Sequence, residues 1–317
     1  MNNQEIFSIA QREHVVGRVR ELSKRSDDIK CRIAQTLKQL WSPERPLSGI
    51  NNLELFKSLR SRFPNFNEVI DILEANAIGL HKLELPFESS PILMLGDPGL
   101  GKTYFASEFS RLSTLPYYEI NMATTTSSFG LSGGNLQWSE GTVGFVASAL
   151  ASSHVANPIF LIDEIDKAFG SNRYSPLAPF YSLLERHSAQ KFKDEALEIE
   201  IDASRVIWMA TANYVDYIPD PILSRMRVVN IPKPNEIQMR EIICSIYANF
   251  RVDRAYGKLF DEQINDDVVD LLVHMAPREA RLAIEEASLK AICDQRFTFL
   301  PKDILIKKKE KQNVGFI

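Results

Sequence analysis

Apolar and polar positions alternate along this chain in three manners. In residues 1–85 the apolar positions recur at helical spacing. Ile29, Ile33, Leu37 and Leu40 fall four, four and three apart, which predicts one helix face, and Trp41-Ser42-Pro43 with Pro46 then breaks the pattern. Phe63-Pro64-Asn65-Phe66 opens a second helix carrying Val69, Ile70, Leu73 and Ala77 on one side. In residues 86–232 short continuous apolar runs replace the stripes: Pro91–Leu95, Pro158–Ile162 and Val206–Ala210. Runs of this kind fit strands of a parallel sheet buried on both faces. Between them, Phe105, Phe109 and Leu112 form a helix stripe, and strand–helix alternation predicts a three-layer α/β domain.

From Pro232-Lys233-Pro234 onward only helical spacing remains. Asn235 and Gln238 read as a capping box, and Ile242, Ile243, Ile246, Tyr247 and Phe250 share a face. Further helices are expected near 266–275, 277–293 and 301–309, the last ending in Lys307-Lys308-Lys309, read as a solvated helix end. The expected division is therefore a helical region over 1–85 for recruiting a partner or substrate, an α/β domain over 86–232 and a small helical domain over 233–317.

Composition sharpens this picture by exclusion. With 317 residues, 44% apolar and 25% charged, the chain can bury a large core and is neither disordered nor a disulfide scaffold. Net charge is −4, which argues against wholesale binding of a phosphate backbone; Lys24-Arg25, Lys30 and Arg32 form a local basic cluster. Cys31, Cys244 and Cys293 are scattered, without a zinc-like pair, and are expected to be packing thiols in a reducing compartment. No apolar run is long enough to span a membrane, and Met1–Ala10 lacks the pattern of a signal peptide, so a cytoplasmic protein is expected.

The chemistry lies in the middle region. Gly96-Asp97-Pro98-Gly99-Leu100-Gly101-Lys102-Thr103 fits GxxxxGK[ST], after an apolar strand and before a helix, with Tyr104 next in that helix. Glycines let the backbone wrap phosphates, and amides at a helix start face the anion. Lys102 would reach the outer phosphates of ATP and the Thr103 hydroxyl would ligate Mg²⁺. Asp163 and Glu164 end the second apolar strand; Asp163 would hold the metal, and Glu164 would activate a water. Asp166 and Lys167 read as structural. Asn213 ends the third run, where neighbouring parallel strands converge, and can hold the lytic water or the γ-phosphate. Arg225, with Arg227 as the competing choice, is a donor for charge developing in phosphoryl transfer, and Arg278 starts a later helix.

Taken in order, these motifs make the chain resemble an AAA+ ATPase, and within that group the ATPase module of Lon proteases, over about 90–300. The resemblance rests on Asn157–Lys167, Leu183-Leu184-Glu185, Phe192, Asp194, Leu197-Glu198-Ile199, Ala210–Asn213 and Pro221–Met226. It implies that Gly96–Tyr104, Asp163 and Arg278 bind ATP, that Asn213 is sensor 1, Arg225 a finger acting in trans and Arg278 sensor 2. It also implies that Asn121 resembles the polar switch that restrains the catalytic Glu. A homo-oligomeric ring, most often a hexamer, is implied too, with a protein substrate or partner protease. The protease domain of Lon has no room here, so any peptidase is expected in a partner or absent. Trp138 or Phe129, in the Ser/Thr/Gly-rich segment 124–138, is the candidate for an aromatic pore loop. The competing functions are a nucleic-acid-associated switch or loader, a defence-system ATPase, and an adaptor that binds ATP without turnover; Glu164 and Arg225 give no reason to prefer the last.

Overall fold

The computed structural model describes residues 5–25, 27–138, 141–168 and 174–305, with the side chains at 27, 30 and 32 also outside the description. The chain comprises two compact units. One consists of Met1–Arg60, Phe66–Pro98 and Lys102–Pro232; the other of Ser61–Asn65, Gly99–Gly101 and Lys233–Ile317.

The first unit opens with β1 (Ile6–Ser8), α1 (Arg12–Leu22), α2 (Asp27–Leu40) and β2 (Glu44–Pro46), then α3 (Leu55–Arg62) and α4 (Asn67–Lys82). β1 and β2 pair antiparallel, a small sheet that the helical spacing did not announce. Next come β3 (Ile92–Leu95), α5 (Lys102–Ser113), β4 (Tyr117–Asn121), α6 (Phe129–Ser132), α7 (Phe145–Ser152) and β5 (Ile159–Asp163). They are followed by α8 (Phe180–Leu183), α9 (Arg186–Ala189), β6 (Phe192–Lys193), β7 (Glu200–Ile201), β8 (Ile207–Ala212), α10 (Asp220–Leu223) and β9 (Arg227–Asn230).

Five strands form one parallel sheet in the order β4-β5-β8-β3-β9. Every residue of β5 and β8 is buried, which is why both read as continuous apolar runs. β9 lies at the edge and buries only Val229, so its sequence carries almost no strand signal. α5 turns Phe105 and Phe109 inward; Phe66 stacks on Phe105 at 4.9 Å and Phe87 meets Phe109 edge-on at 5.9 Å.

Buried side chains between Ile9 and Leu47 belong to the same core. Ile33, Leu37, Leu40 and Leu47 share one apolar cluster with Leu93, Phe160 and Ile162 of the sheet. Arg45 donates to the carbonyls of Ser153 (2.8 Å), Ala151 (3.0 Å) and Gln39 (3.1 Å). One guanidinium thus closes carbonyls at the end of α7 and of α2 that the helices leave unpaired.

The second unit contains α11 (Glu236–Asp253), α12 (Asp266–Leu272) and α13 (Pro277–Cys293) around Ile243, Phe250, Leu272, Ile284 and Ala287. Asn235 and Gln238 form the capping box at α11. The stretch expected as a helix over 301–309 is instead a 3-10 turn at Pro301–Asp303, held by Arg296 on Asp303 (2.9 and 3.0 Å); Lys307–Lys309 lie outside the described residues. The three cysteines do sit in helices, but all are exposed, so they are not packing thiols: the buried stripes of α2, α11 and α13 run past them on other faces. Among the described residues no helix is long and apolar enough to cross a membrane.

Candidate functional site

The carboxyl ends of the central strands gather the polar residues. β3 runs into the glycine-rich loop, β4 ends at Asn121 in register with Asp163, β5 ends at Asp163, and Ala212, which precedes Asn213, lies opposite Leu95. The loop itself turns on Gly99 (φ +84°) and Gly101 (φ +94°), conformations that side chains resist. A Cβ on Gly101 would meet nothing within 4 Å, so glycine serves the backbone angle there and not the space.

Lys102 begins α5 and is only 7% exposed. Its Nζ donates to the carbonyls of Gly96 (2.6 Å) and Asp97 (2.9 Å) and to Asn213 Oδ1 (2.9 Å). Burial pushes the ammonium below the usual lysine range, against the pull of Asp166, Asp163, Asp97 and Glu164. Among the described residues these three partners are neutral oxygens, so the charge is held at the loop by dipoles and not by a carboxylate contact, as an anion site requires.

Asp163 is 8% exposed and is the hub of the carboxyl edge. Its Oδ1 accepts from Thr103 Oγ1 (2.7 Å) and from Thr211 Oγ1 (2.7 Å), and its Oδ2 from Asn121 Nδ2 at 3.4 Å. Glu164 has left-handed backbone (φ 54°, ψ 48°), and its N–H donates to Thr211 Oγ1 at 2.9 Å. Asp166 is buried in the 3-10 turn Ile165–Lys167, with Lys167 Nζ 3.3 Å from its Oδ2; the same ammonium lies 4.9 Å over the Tyr214 ring. A hydroxyl and a carboxylate 2.7 Å apart beside a phosphate-type loop are hard oxygen donors, which fit Mg²⁺ and do not suit a soft metal.

Residues 92–233 match the family model described as "ATPase family associated with various cellular activities (AAA)". The chain is 26% identical over 264 residues to a Lon protease of Mycoplasma pneumoniae, spanning 83% of this chain and 33% of that one. It is 31% identical over 220 residues to a peroxisomal Lon protease homolog 2 of Spinacia oleracea, spanning 68% of this chain and 24% of that one. The chain carries an AAA+ module similar to that of Lon proteases. It spans about a quarter to a third of the length of these relatives. A RuvB mutant of Thermotoga maritima has the same fold, with a TM-score of 0.52 at 13% identity over 75% of this chain and 67% of that one.

Membership of the AAA family implies nucleotide binding. Within the AAA+ module the sequence-predicted residues fall into two groups. Gly96, Asp97, Lys102, Thr103, Asp163, Glu164 and Asn213 are brought to the one edge described above. Asn121 is there as well, but its amide meets Asp163 and its Oδ1 takes the N–H of Ala123 (2.9 Å), so the supposed switch is turned to Asp163 and its own loop and not to the Glu164 side chain. Tyr104 points its ring outward, 43% exposed. Arg225 is elsewhere: its Nη2 pairs with Glu185 Oε1 at 2.8 Å, and Nη1 donates to the Pro221 carbonyl. Arg278 is an exposed residue at the start of α13; within that unit a Cβ on Gly99 would lie 3.6 Å from its Cβ.

The Ser/Thr/Gly-rich segment is an ordered loop. Phe129 starts α6 and packs on Trp138 (5.1 Å) and Tyr174 (5.0 Å), while Trp138 stays half-exposed. Asp194, fully buried, accepts from the N–H of Gly144 at the start of α7 (2.8 Å), besides Ala196 (3.0 Å) and Leu197 (2.9 Å), and the N–H of the adjacent Glu195 holds the segment through the Ser132 carbonyl (2.7 Å). Sequence reasoning gave no role to Thr211. The available signal was a hydroxyl inside a buried apolar strand, two residues before Asn213 and therefore on the same face.

Proposed function

We propose that this AAA+ module hydrolyses ATP with Mg²⁺ and uses the turnover to remodel or thread protein substrates as a ring. The observation that carries the reading is the meeting of Lys102, Thr103, Asp163, Glu164 and Asn213 at one sheet edge, directly after a loop that turns on two glycines at positive φ.

In this reading the amides of the loop and Lys102 bind the phosphates, and Thr103 and Asp163 hold the metal, which supplies charge neutralisation on the phosphate oxygens. Glu164 takes a proton from the attacking water, and Asn213 orients that water or the γ-phosphate. Asn213 already holds Lys102, so one amide ties the end of β8 to the phosphate-binding lysine. Arg225 is the finger for the next protomer and Arg278 senses the outer phosphate. A ring is supported by the need for a residue such as Arg225, whose guanidinium turns to Glu185 and the Pro221 carbonyl and, among the described residues, away from the site of its own chain. The half-exposed Trp138 on its pinned loop is the candidate grip on a threaded chain, and residues 1–85 are the candidate recruiter. The relatives are named as proteases; the residues gathered at this edge act on phosphate and not on a peptide bond.

The test is Glu164→Gln in the full chain. It should bind ATP, lose turnover and retain protein clients that can be identified after purification. Undiminished turnover would overturn the assignment of Glu164, and recovery of nucleic acid alone would overturn remodelling.

A further inference from the structure

Thr211 is 2% exposed in β8 and touches both acidic residues of the proposed site. A buried strand position tolerates Val as well as Thr by shape, while a buried hydroxyl is unfavourable unless its hydrogen bonds are made. Here they are made in one direction only. The N–H of Glu164 must donate, so the Thr211 oxygen accepts it at 2.9 Å, and the single hydroxyl proton goes to Asp163 Oδ1 at 2.7 Å. Accepting the N–H polarises the hydroxyl and strengthens its donation.

Two hydroxyls therefore share Asp163 Oδ1, and they differ in what else they can reach. Thr103 is partly exposed beside the phosphate loop, whereas Thr211 is enclosed in the sheet. Glu164 adopts a backbone conformation that non-glycine residues disfavour, and Thr211 holds the amide at that residue. β5 and β8 are neighbours, with Ile162 paired to Ala210, so the contact spans two adjacent hydrogen-bonded strands.

We propose that Thr211 is a positioning residue: its hydroxyl fixes the Asp163 carboxylate and the Glu164 backbone together, so that metal ligand and general base are set by one group on the neighbouring strand. The proposal rests on the reading of Asp163 and Glu164 given above.

The decisive comparison is Thr211→Val, which keeps the shape and loses the hydroxyl, against Thr211→Ser, which keeps the hydroxyl. Turnover should fall roughly 10- to 100-fold in the Val variant, as for loss of a bond to a buried charge. The Mg²⁺ concentration at the midpoint of binding of a fluorescent ATP analogue should rise severalfold, and the melting temperature should fall by several degrees while the protein stays folded, because two buried hydrogen bonds are lost. The Ser variant should keep turnover and midpoint within about threefold. If the Val variant does not fold, Thr211→Ala against Thr211→Ser isolates the same hydroxyl. A Val variant with parental turnover and Mg²⁺ midpoint overturns the proposal, as does a folded Ser variant as impaired as the one without a hydroxyl. Glu164→Gln that retains turnover would remove the general-base reading alone, and the Mg²⁺ midpoint would still decide the hold on Asp163.

Discussion

Asn157 gives the sharpest stability prediction in the first unit. It is 1% exposed at the approach to β5, and its amide ties together two segments far away in sequence. Oδ1 accepts the Ser48 N–H (2.8 Å), while Nδ2 donates to the carbonyls of Ser48 (2.8 Å) and Phe87 (2.9 Å). Asn157→Ala removes all three. The Ser48 carbonyl keeps a second donor, the Phe87 N–H at 3.0 Å, so it suffers least. At ~1 kcal/mol net for each bond, the loss should be about 3 kcal/mol. Asn157→Asp should cost more, because it keeps the acceptor but turns an oxygen toward two carbonyls. Trp41, Trp138 and Trp208 all belong to this unit, so urea unfolding followed by fluorescence reports it. With a slope near 2–3 kcal/mol/M, the midpoint should fall by about 1 M at unchanged slope. Asn52→Ala is the control, since it removes one exposed contact to the Glu54 N–H and should cost well under ~1 kcal/mol. A loss below ~1 kcal/mol for Asn157→Ala would refute the claim that this amide fastens residues 48 and 87 to the sheet.

Other variants probe the site and its surroundings. Burial raises the Asp194 carboxyl from 3.8 to about 6, over the opposing pull of three backbone N–H groups. A raised folded-state value means a contribution fully present below about pH 4 and lost as pH rises through about 6, worth about 3 kcal/mol. The stability difference between the parent and Asp194→Asn should therefore shift toward the parent on acidification across that window; a flat difference in chemical denaturation contradicts it. Gly101→Ala meets no steric obstacle but must hold φ near +94°, a cost of about 1–2 kcal/mol that should weaken nucleotide binding roughly tenfold while the melting temperature hardly moves. Parental affinity would show that the loop does not need this angle. Arg225→Ala and Glu164→Gln should each lack turnover alone. An equal mixture should regain roughly a quarter of parental activity, because a mixed interface restores one complete site. No recovery, with mixing of protomers verified, excludes a finger acting in trans.

The phosphate loop, the paired Asp163 and Glu164 and the three central strands were legible because each is local. A GxxxxGK[ST] run between strand and helix is a pattern of eight adjacent residues, and strands buried on both faces are written as unbroken apolar runs. The capping box at Asn235 and the stripes of α2, α4 and α11 were legible for the same reason, since each is a spacing of a few residues. Other features had no local signature. β1 and β2 are three residues each, β9 is a largely polar edge strand, and exposed cysteines sit in helices whose buried stripes pass them by. The 3-10 turn at Pro301–Asp303 is set by Arg296, outside the window where helical spacing was read.

By itself the sequence determined which residue types stand at the short fixed spacings that the proposed phosphate and metal binding demands. Only the tertiary structure decided how those residues are held. Thr211 meets Asp163 and Glu164 across neighbouring strands, Lys102 reaches Asn213 over 111 positions of chain, Asp194 takes the Gly144 N–H from 50 residues upstream, and Arg225 turns to Glu185. Hydrogen bonds act over about 3 Å in space whatever the separation along the chain, so such partners become neighbours only when the sheet assembles.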